Sequence, residues 1–152
     1  MKVISIKDPW ATLIARGVKD VENRTWQTTY RGPLAIATSM QYDRNAHRDP
    51  VAAAAMVDDD RVRRLRPTDM HPGHIIAVVD LTDVHRHYSA GNGCDAPSKT
   101  FIARSCSLWG QPNVVHFRLE NPRLLATPFP HRGSLGIRDL PAATIHQIQE
   151  QL

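Results

Sequence analysis

The sequence predicts an α+β fold in which a small β-barrel of mixed or antiparallel strands carries peripheral helices. Eleven prolines and eight glycines interrupt the 152-residue chain, which suits short strands and turns better than a helix bundle. Apolar residues make up 41% of it, enough to form the core of one ordinary domain. Short apolar segments separated by long polar connections favour a barrel. We therefore expect residues 1–152 to form a single domain with two excursions, at about 40–73 and 86–113.

The chain is expected to begin with a short strand and a short helix. Residues 3–6 are mostly apolar and predict a buried strand. Asp8 is suited to cap the free N–H groups of a helix, and Pro9 to occupy its first position. The helix is expected over residues 9–16, and Gly17 would end it in a left-handed conformation.

The residues after this helix change from a helical to an alternating pattern. Glu22, Arg24 and Trp26 alternate with other residues, so an extended strand would place all three on one face. Residues 31–33, with the sequence Arg-Gly-Pro, predict a turn. The small and apolar residues 34–38 then predict a second strand.

The remaining predicted elements are separated by the two polar excursions. In the first excursion, residues 52–57 favour a helix. The charged run 58–66 is typical of a solvated surface, and the alternative is that its arginines extend a phosphate-binding surface. The strongest strand pattern covers residues 74–84. The later elements are, in order, strands over 114–119 and 124–127, a turn and short strand over 132–137, and a helix opened by Pro141 with Ile145 and Ile148 facing inward.

Charge and cysteine content restrict the class of protein. Nineteen Lys and Arg against 15 Asp and Glu give a net charge of +4. This balance favours a negatively charged partner such as nucleic acid, although a soluble protein without such a partner can have it too. The two cysteines, Cys94 and Cys106, form no recognisable framework, and the first residues lack the apolar region of a secretion signal. No apolar run approaches the ~20 residues that span a bilayer. We expect a cytoplasmic protein with free thiols and no membrane association, and leave its oligomeric state open.

The densest group of chemically active side chains directly follows the first helix. Gly17, Lys19, Glu22 and Arg24 form the pattern G-x-K-x-x-E-x-R. A cation, a carboxylate and a guanidinium at this spacing are expected to form an ion-pair network that orients Lys19 and Arg24 towards a ligand. The alternative is a surface network that only attaches the helix to the sheet. Exposed ion pairs of that kind contribute about 0–1 kcal/mol.

This pattern, preceded by a short helix that opens with Pro-Trp-Ala, resembles the ASCH domain of the PUA-like superfamily. Three other segments resemble the same family: residues 6–11, 29–36 and the Gly-rich 132–137. The resemblance covers roughly residues 2–40, 73–84 and 114–140, and the two excursions lie outside it.

The resemblance implies a PUA-like barrel of five to six strands with a cleft between barrel and helix. Members of the family are associated with RNA or DNA binding. A few resemble small hydrolases that act on acetylated cytidine or on RNA, with the motif lysine central to the chemistry. Carried over to this sequence, the resemblance places Lys19, Glu22 and Arg24 in the cleft, with Gly17 enabling the turn before them.

Four further residues are candidate ligand contacts. Trp26 and Tyr30 are suited to stacking on a base, a contact that contributes roughly 1–3 kcal/mol per base, although a tryptophan in a small barrel also suits the core. Arg31, at the predicted turn, is a candidate phosphate contact. Ser39, at the end of the second strand, offers a hydroxyl. Trp10 lies on the apolar stripe of the first helix and is expected in the core.

The pair His85 and His87 raises the question of a metal site. In a strand the two side chains share a face, as two ligands of one zinc ion would. Because no further ligands stand at a recognised spacing, we expect no metal site and no cofactor. His85 remains a candidate acid or base, since histidine titrates near neutral pH.

Two functions of different classes agree with these observations. In the first, the protein is a nucleic-acid-binding module that receives RNA, another single-stranded nucleic acid or a modified nucleoside in a basic cleft. In the second, it is a small hydrolase, either an amidohydrolase of the N4-acetylcytidine type or a ribonuclease, with Lys19 and Glu22 as catalytic residues. A protein-interaction adaptor is a third and weaker alternative.

Overall fold

The structure, a computed structural model, describes residues 1–63, 69–88, 93–94 and 105–152. These residues form three α-helices: α1 (Trp10–Ala15), α2 (Pro50–Asp58) and α3 (Ala142–Gln149). They also form seven strands: β1 (Lys2–Asp8), β2 (Val21–Arg24), β3 (Gly32–Tyr42), β4 (His74–Tyr88), β5 (Gly93–Cys94), β6 (Val115–Pro130) and β7 (Ile137–Asp139).

The strands form one mixed sheet in the order β2-β6-β4-β3-β1-β7, and β5 pairs with the end of β4. The β1–β3 pair is parallel, and the other pairs are antiparallel. The expected α+β class and mixed sheet are therefore confirmed. Within the described part of the chain, strand pairing runs as an open path from β2 to β7 and does not close into a complete ring.

Apolar side chains cover both faces of this sheet. Because successive residues of a strand point to opposite faces, Ile4 and Ile36 pack in one cluster while their neighbours Val3 and Ala35 pack in another. Helix α1 adds Ile14 to the first cluster, and α3 adds Ile148 to the second. The sheet thus lies between the two helices, and its first face carries the elements of the candidate site.

Helix α1 is shorter than expected, because it begins at Trp10 and ends at Ala15. Pro9 is its N-cap rather than its first helical residue. The Asp8 carboxylate accepts hydrogen bonds from the backbone N–H and the hydroxyl of Thr12, at 3.1 and 2.7 Å. Asp8 therefore stabilises the start of the helix, as predicted, from the position before the N-cap.

Gly17 ends this first helical segment as predicted. Its φ of 69° is in the left-handed region, which glycine adopts without steric cost. The N–H groups of Val18 and Lys19 both donate to the carbonyl of Leu13, as is usual where a left-handed residue closes a helix. A Cβ at Gly17 would lie 2.9 Å from Pro122 Cγ. The turn therefore brings the following residues back over the sheet.

The strands are longer than the sequence predicted. The segment over 34–38 extends to Tyr42, and the segment over 74–84 extends to Tyr88. The two strands expected at 114–119 and 124–127 are one strand, β6, whose register against β4 shifts at three places. Irregularities of this kind let a strand bend without ending, and the polar residues at 120–123 therefore did not mark a turn.

The first excursion is attached to the start of the chain. Asp49 caps α2 by accepting from the backbone N–H groups of Val51 and Ala52. In the charged run, Arg61 pairs with Asp59 at 2.6 Å and donates to the carbonyl of Gly17 at 2.6 Å. Arg61 and Arg63 of this run are exposed, whereas Val62 is buried in a cluster with Leu13 and Ala52. Residues 64–66 of the run lie outside the described residues. None of the described helices is both long and apolar enough to cross a lipid bilayer.

Candidate functional site

Lys19, Glu22 and Arg24 form a connected group of charges, as the sequence predicted. The Lys19 ammonium lies 3.0 Å from Glu22 Oε2 and also donates to the carbonyl of Val21. Arg24 Nε lies 3.2 Å from the other carboxylate oxygen, Oε1. Glu22 therefore lies between two cations. The Lys19 side chain is only 4% exposed and that of Glu22 12%, so these pairs are not the exposed kind.

Two local features position this group. The turn at Gly17 directs Lys19 inward, and β2 then pairs with β6, which sets Glu22 opposite Phe117 and Arg24 opposite Val115. Burial of a charge is costly unless it is paired and hydrogen-bonded. The Val21 carbonyl and the Glu22 carboxylate supply those partners to Lys19. The network therefore orients Lys19 within the protein, and the carboxylate is shared with Arg24.

Arg24 is held at the cleft by contacts with Ser5, Glu22 and Trp26. Its Nη2 donates to the carbonyl of Ser5 at 3.1 Å, and its guanidinium lies 6.0 Å from the ring centre of Trp26. Its buried Nε has no hydrogen-bond partner among the described residues, because the short approach to Glu22 is not aligned as a hydrogen bond. This nitrogen is closed to solvent, so the charge of the Glu22 carboxylate is what compensates it.

Glu22 and Arg24 line a cleft of about 1020 Å³. This volume is at the upper end of the range of roughly 300–1,000 Å³ for ligand sites. Two exposed cations, Lys7 and Arg132, line it as well. The cleft thus has a carboxylate and a guanidinium in its wall and two positive charges at its solvent side.

Lys19 lies behind this cleft. It lines a smaller neighbouring pocket of about 180 Å³, which it shares with Glu22, Trp10 and Trp109. The rings of Trp10 and Trp109 meet edge to face, with their centres 6.4 Å apart. Glu22 and Trp10 line both cavities. The structure therefore brings Lys19, Glu22 and Arg24 together, but of these three only Glu22 and Arg24 line the large cleft.

Of the four further candidates, the structure brings Ser39 to the cleft. Trp26 packs edge to face on Phe117, with ring centres 5.0 Å apart, and joins the core. The Tyr30 hydroxyl donates to the carbonyl of Pro33 at 2.6 Å. Among the described residues, the cleft lining does not include Trp26, Tyr30 or Arg31.

The Arg31 guanidinium is hydrogen-bonded within its own turn and to β4. Its guanidinium donates to the carbonyls of Thr28, Tyr30 and Val84. Ser39 Oγ accepts the backbone N–H of Gln41 at 3.1 Å. Arg31 is therefore positioned to hold the turn, while Ser39 is positioned to meet a ligand.

The sequence did not predict several of the residues that line the cleft. Lys7 and Arg132 come from opposite ends of the chain and meet only because β1 pairs with β7. Ser5 accepts the backbone N–H of Ser134 at 3.2 Å, which holds the segment before β7 against the cleft. The resemblance of residues 132–137 to a family segment was the one sequence signal for this wall.

Trp10, expected in the core, has a polar contact beside the cleft. Its indole N–H donates to Asp43 at 2.9 Å. This hydrogen bond, followed by one from the backbone of Asn45, lowers the pKa of the Asp43 carboxyl. Trp10 therefore packs against the core and also lines both cavities.

A second cluster of titratable side chains lies where the second excursion joins the sheet. It consists of His85, Cys94, Cys106 and His116. Burial, followed by the adjacent Cys94 thiol, raises the pKa of the Cys106 thiol to about 12. No ligand set for His85 is recognisable in the sequence, because the fold assembles these four residues from separate segments.

Comparison with known proteins agrees with this geometry. Residues 4–115 match the model of the ASCH domain. Activating signal cointegrator 1 of Homo sapiens and of Mus musculus is 33% identical over 84 residues, which are 53% of this chain and 14% of each cointegrator. The chain therefore corresponds to a small part of those relatives.

A solved structure supports the fold over nearly the whole chain. The crystal structure of a mutant ZmASCH protein from Zymomonas mobilis superposes with a TM-score of 0.53 at 13% identity, covering 98% of this chain and 96% of that one. At this identity the likeness concerns the fold. The chain belongs to the ASCH domain family, which has a PUA-like fold and is associated with nucleic-acid binding.

Proposed function

We propose that this domain binds single-stranded RNA, or a modified nucleoside, in the cleft lined by Glu22 and Arg24. The observation that carries the proposal is Arg24 itself. Its guanidinium lines the cleft and is held in place by the carbonyl of Ser5 and the carboxylate of Glu22. Such a donor is preorganised for a phosphate or base oxygen, so little side-chain ordering is needed on binding.

Glu22 supports recognition of a base edge. A carboxylate accepts hydrogen bonds from amino groups such as that of cytosine. Because Lys19 and Arg24 flank Glu22, its charge is neutralised locally and repels phosphates less than an isolated carboxylate would. Glu22 is therefore suited to receive the donor edge of an unpaired base.

Lys7 and Arg132 support contacts to the backbone of a nucleic acid. Both are exposed and line the cleft, so they can follow phosphates on either side of a base held inside. Contacts of this kind position a nucleic acid and carry no sequence information. A chain longer than one nucleotide would therefore bind more tightly than the free nucleoside.

Binding of short labelled RNAs and of nucleosides, including N4-acetylcytidine, tests the proposal. We expect Arg24→Ala to weaken RNA binding by roughly tenfold or more, equivalent to about 1.4 kcal/mol. Glu22→Gln should also weaken it, although it removes a negative charge. Arg44→Ala, which removes an exposed cation outside the cleft lining, is the matched control. Equal affinity of wild type and Arg24→Ala, with both proteins folded, would exclude this cleft.

A small hydrolase, either an N4-acetylcytidine-type amidohydrolase or a ribonuclease, remains the second candidate. It is favoured by the buried Lys19 ammonium at 3.0 Å from Glu22, since such pairs occur at catalytic sites. Because Glu22 lines the large cleft and Lys19 does not, Glu22 would act on a water or hydroxyl and Lys19 would act through it.

The same panel separates the two functions. Release of acetate from N4-acetylcytidine, or cleavage of RNA, that is lost in Glu22→Gln and Lys19→Met would identify an enzyme. Unchanged substrate after prolonged incubation, with salt-sensitive binding, would identify a binding module. If no RNA or nucleoside binds and a defined protein partner does, the adaptor alternative holds.

A further inference from the structure

Four side chains from distant positions meet at one end of the sheet. His85 lies on β4, Cys94 on β5, Cys106 in the segment before β6, and His116 on β6. One potential ligand atom of each lies within 4.8 Å of every other. His85, Cys94 and His116 are buried, and Cys106 is half-buried. This arrangement is closed to bulk solvent, as structural metal sites are.

The individual distances match a tetrahedral site. Cys106 Sγ lies 3.2 Å from His85 Nε2 and 3.2 Å from His116 Nδ1, and Cys94 Sγ lies 3.4 Å from His116 Nδ1. With Zn–S near 2.3 Å and Zn–N near 2.0–2.1 Å, tetrahedral geometry places sulfur and nitrogen roughly 3.5 Å apart. The ligand atoms thus need only small displacements to enclose a zinc ion.

The second ring nitrogen of each histidine has an acceptor. His85 Nδ1 lies 2.7 Å from the Asp83 carboxylate, and His116 Nε2 lies 2.8 Å from the carbonyl of Gln111. Each acceptor holds the proton on the far nitrogen, so the nitrogen facing the cluster presents its lone pair. Metal-binding histidines are oriented by carboxylate or carbonyl groups in the same way.

Backbone contacts also position the Cys94 sulfur and the His116 ring. The backbone N–H of Cys106 points to Cys94 Sγ at 3.1 Å, a contact that stabilises negative charge on that sulfur. Gly110 permits the ring of His116 to lie against the backbone, because a Cβ there would be 2.6 Å from His116 Cε1. These contacts hold the Cys94 sulfur and the His116 ring in positions from which both can bind a metal ion, and a bound metal ion would displace the thiol protons.

We propose that His85, Cys94, Cys106 and His116 bind one structural Zn²⁺ ion. Two sulfur and two nitrogen donors in tetrahedral arrangement are characteristic of zinc. With all four positions taken by protein, the ion has no open position for water or substrate and serves to hold the fold. A free thiol pair or a Cys94–Cys106 disulfide are the alternatives that the experiment must exclude.

The ion would link the second excursion to the charged motif. The segment that begins at Cys106 contacts the motif through the Ser107 hydroxyl, which donates to Asp20, and the Trp109 indole N–H, which donates to the carbonyl of Val18 at 2.9 Å. Asn23 donates to the carbonyl of Trp109 at 2.8 Å. Zinc binding at Cys106 therefore fixes the wall of the pocket that holds Lys19.

Metal content of the full chain, purified under reducing conditions, tests the proposal. We expect one zinc per chain in the wild type and loss of stoichiometric zinc in the Cys94→Ala/Cys106→Ala double variant. His74→Gln is the matched control, because His74 lies at the other end of the same strand and outside the four-residue cluster. It should retain one zinc ion.

Two further measurements keep the test valid if the double variant does not fold. X-ray absorption at the zinc edge of the wild type should show two sulfur and two nitrogen ligands. Asp83→Asn, which keeps all four ligands, should lower zinc affinity roughly 10–100-fold in competition with a chromophoric chelator. A wild type that binds no zinc after dialysis against it, a Cys94–Cys106 disulfide found under reducing conditions, or a different ligand count would overturn the proposal.

Discussion

Lys19 Nζ lies 3.0 Å from Glu22 Oε2, and both side chains are almost completely removed from solvent. A buried pair of this kind contributes little net stability compared with an apolar pair, but removing one partner leaves an uncompensated charge. Within the ASCH motif the lysine therefore compensates the buried charge of the carboxylate, and the arginine shares that carboxylate from the side of the cleft.

Replacement of Lys19 by methionine should destabilise the fold. The methionine keeps most of the apolar stem but leaves Glu22 with Arg24 alone. We expect a loss of about 2–3 kcal/mol in the free energy of unfolding, below the roughly 3–5 kcal/mol usual for a broken buried pair because Arg24 remains. Urea denaturation measures it, with the exposed Lys7→Met as control within about 0.5 kcal/mol. Equal stability of the two variants would contradict the buried pair.

Replacement of Gly17 by alanine tests the turn before the motif. The left-handed backbone costs about 1–2 kcal/mol for a residue with a Cβ, and the approach to Pro122 Cγ at 2.9 Å adds crowding. Gly136→Ala is the matched control, since Gly136 has a similar φ of 73° and open space around it. We expect Gly17→Ala to lower the melting temperature more than Gly136→Ala. The reverse order would show that the turn tolerates a side chain.

Replacement of Arg132 by alanine should change the salt dependence of RNA binding. If Arg132 contacts one phosphate, its removal should reduce the slope of log K against log salt by about 0.7, the value per contact for single strands. Fluorescence anisotropy at several salt concentrations measures the slope. Arg44→Ala should leave it unchanged, and a parallel loss in both variants would indicate only a general effect of net charge.

The ionisation of Asp59 should depend on Arg61. The hydrogen bonds from Arg61, first from its side chain and then from its backbone, lower the pKa of Asp59 to about 2. Because the folded pKa is below the unfolded value of about 3.9, the stabilisation is present above pH ~4 and disappears as the pH falls towards 2. A carboxyl NMR titration should give a midpoint near 2 in the wild type and a higher midpoint in Arg61→Ala, still below about 4 because the backbone N–H of residue 61 remains. An unchanged midpoint in the variant would show that Arg61 does not affect this carboxyl.

Local sequence patterns predicted the parts of the fold that depend on near neighbours. The left-handed Gly17, the support of α1 by Asp8 and the C-terminal helix all follow from propensities that act within a few residues. The length of β6 did not, because a strand can absorb polar residues through register shifts when a partner such as β4 continues its pairing. The length of a strand thus depends on the strands that pair with it, and the local sequence pattern does not show them.

The candidate site was likewise predictable only where its residues are close together in the sequence. The triad of Lys19, Glu22 and Arg24 falls within six residues and was found from its spacing and its resemblance to the family. The cations Lys7 and Arg132 meet only through the pairing of β1 with β7. The four ligands of the proposed zinc site are separated by eight to eleven residues each, and no recurrent spacing marks them. Such groups become visible only when the strand order is known.

The antiparallel pairing of Arg86 with Val115 has a consequence for where this domain can accept insertions. The chain leaves one strand and returns to its immediate neighbour, so the intervening stretch is topologically a hairpin connection of any length. Residues can be added to it without reordering the strands, provided that Cys94, Cys106 and Trp109 keep their contacts with the sheet and the charged motif. The architecture therefore offers a permissive insertion point beside the charged pocket, at which a new module could be grafted to cover or open it.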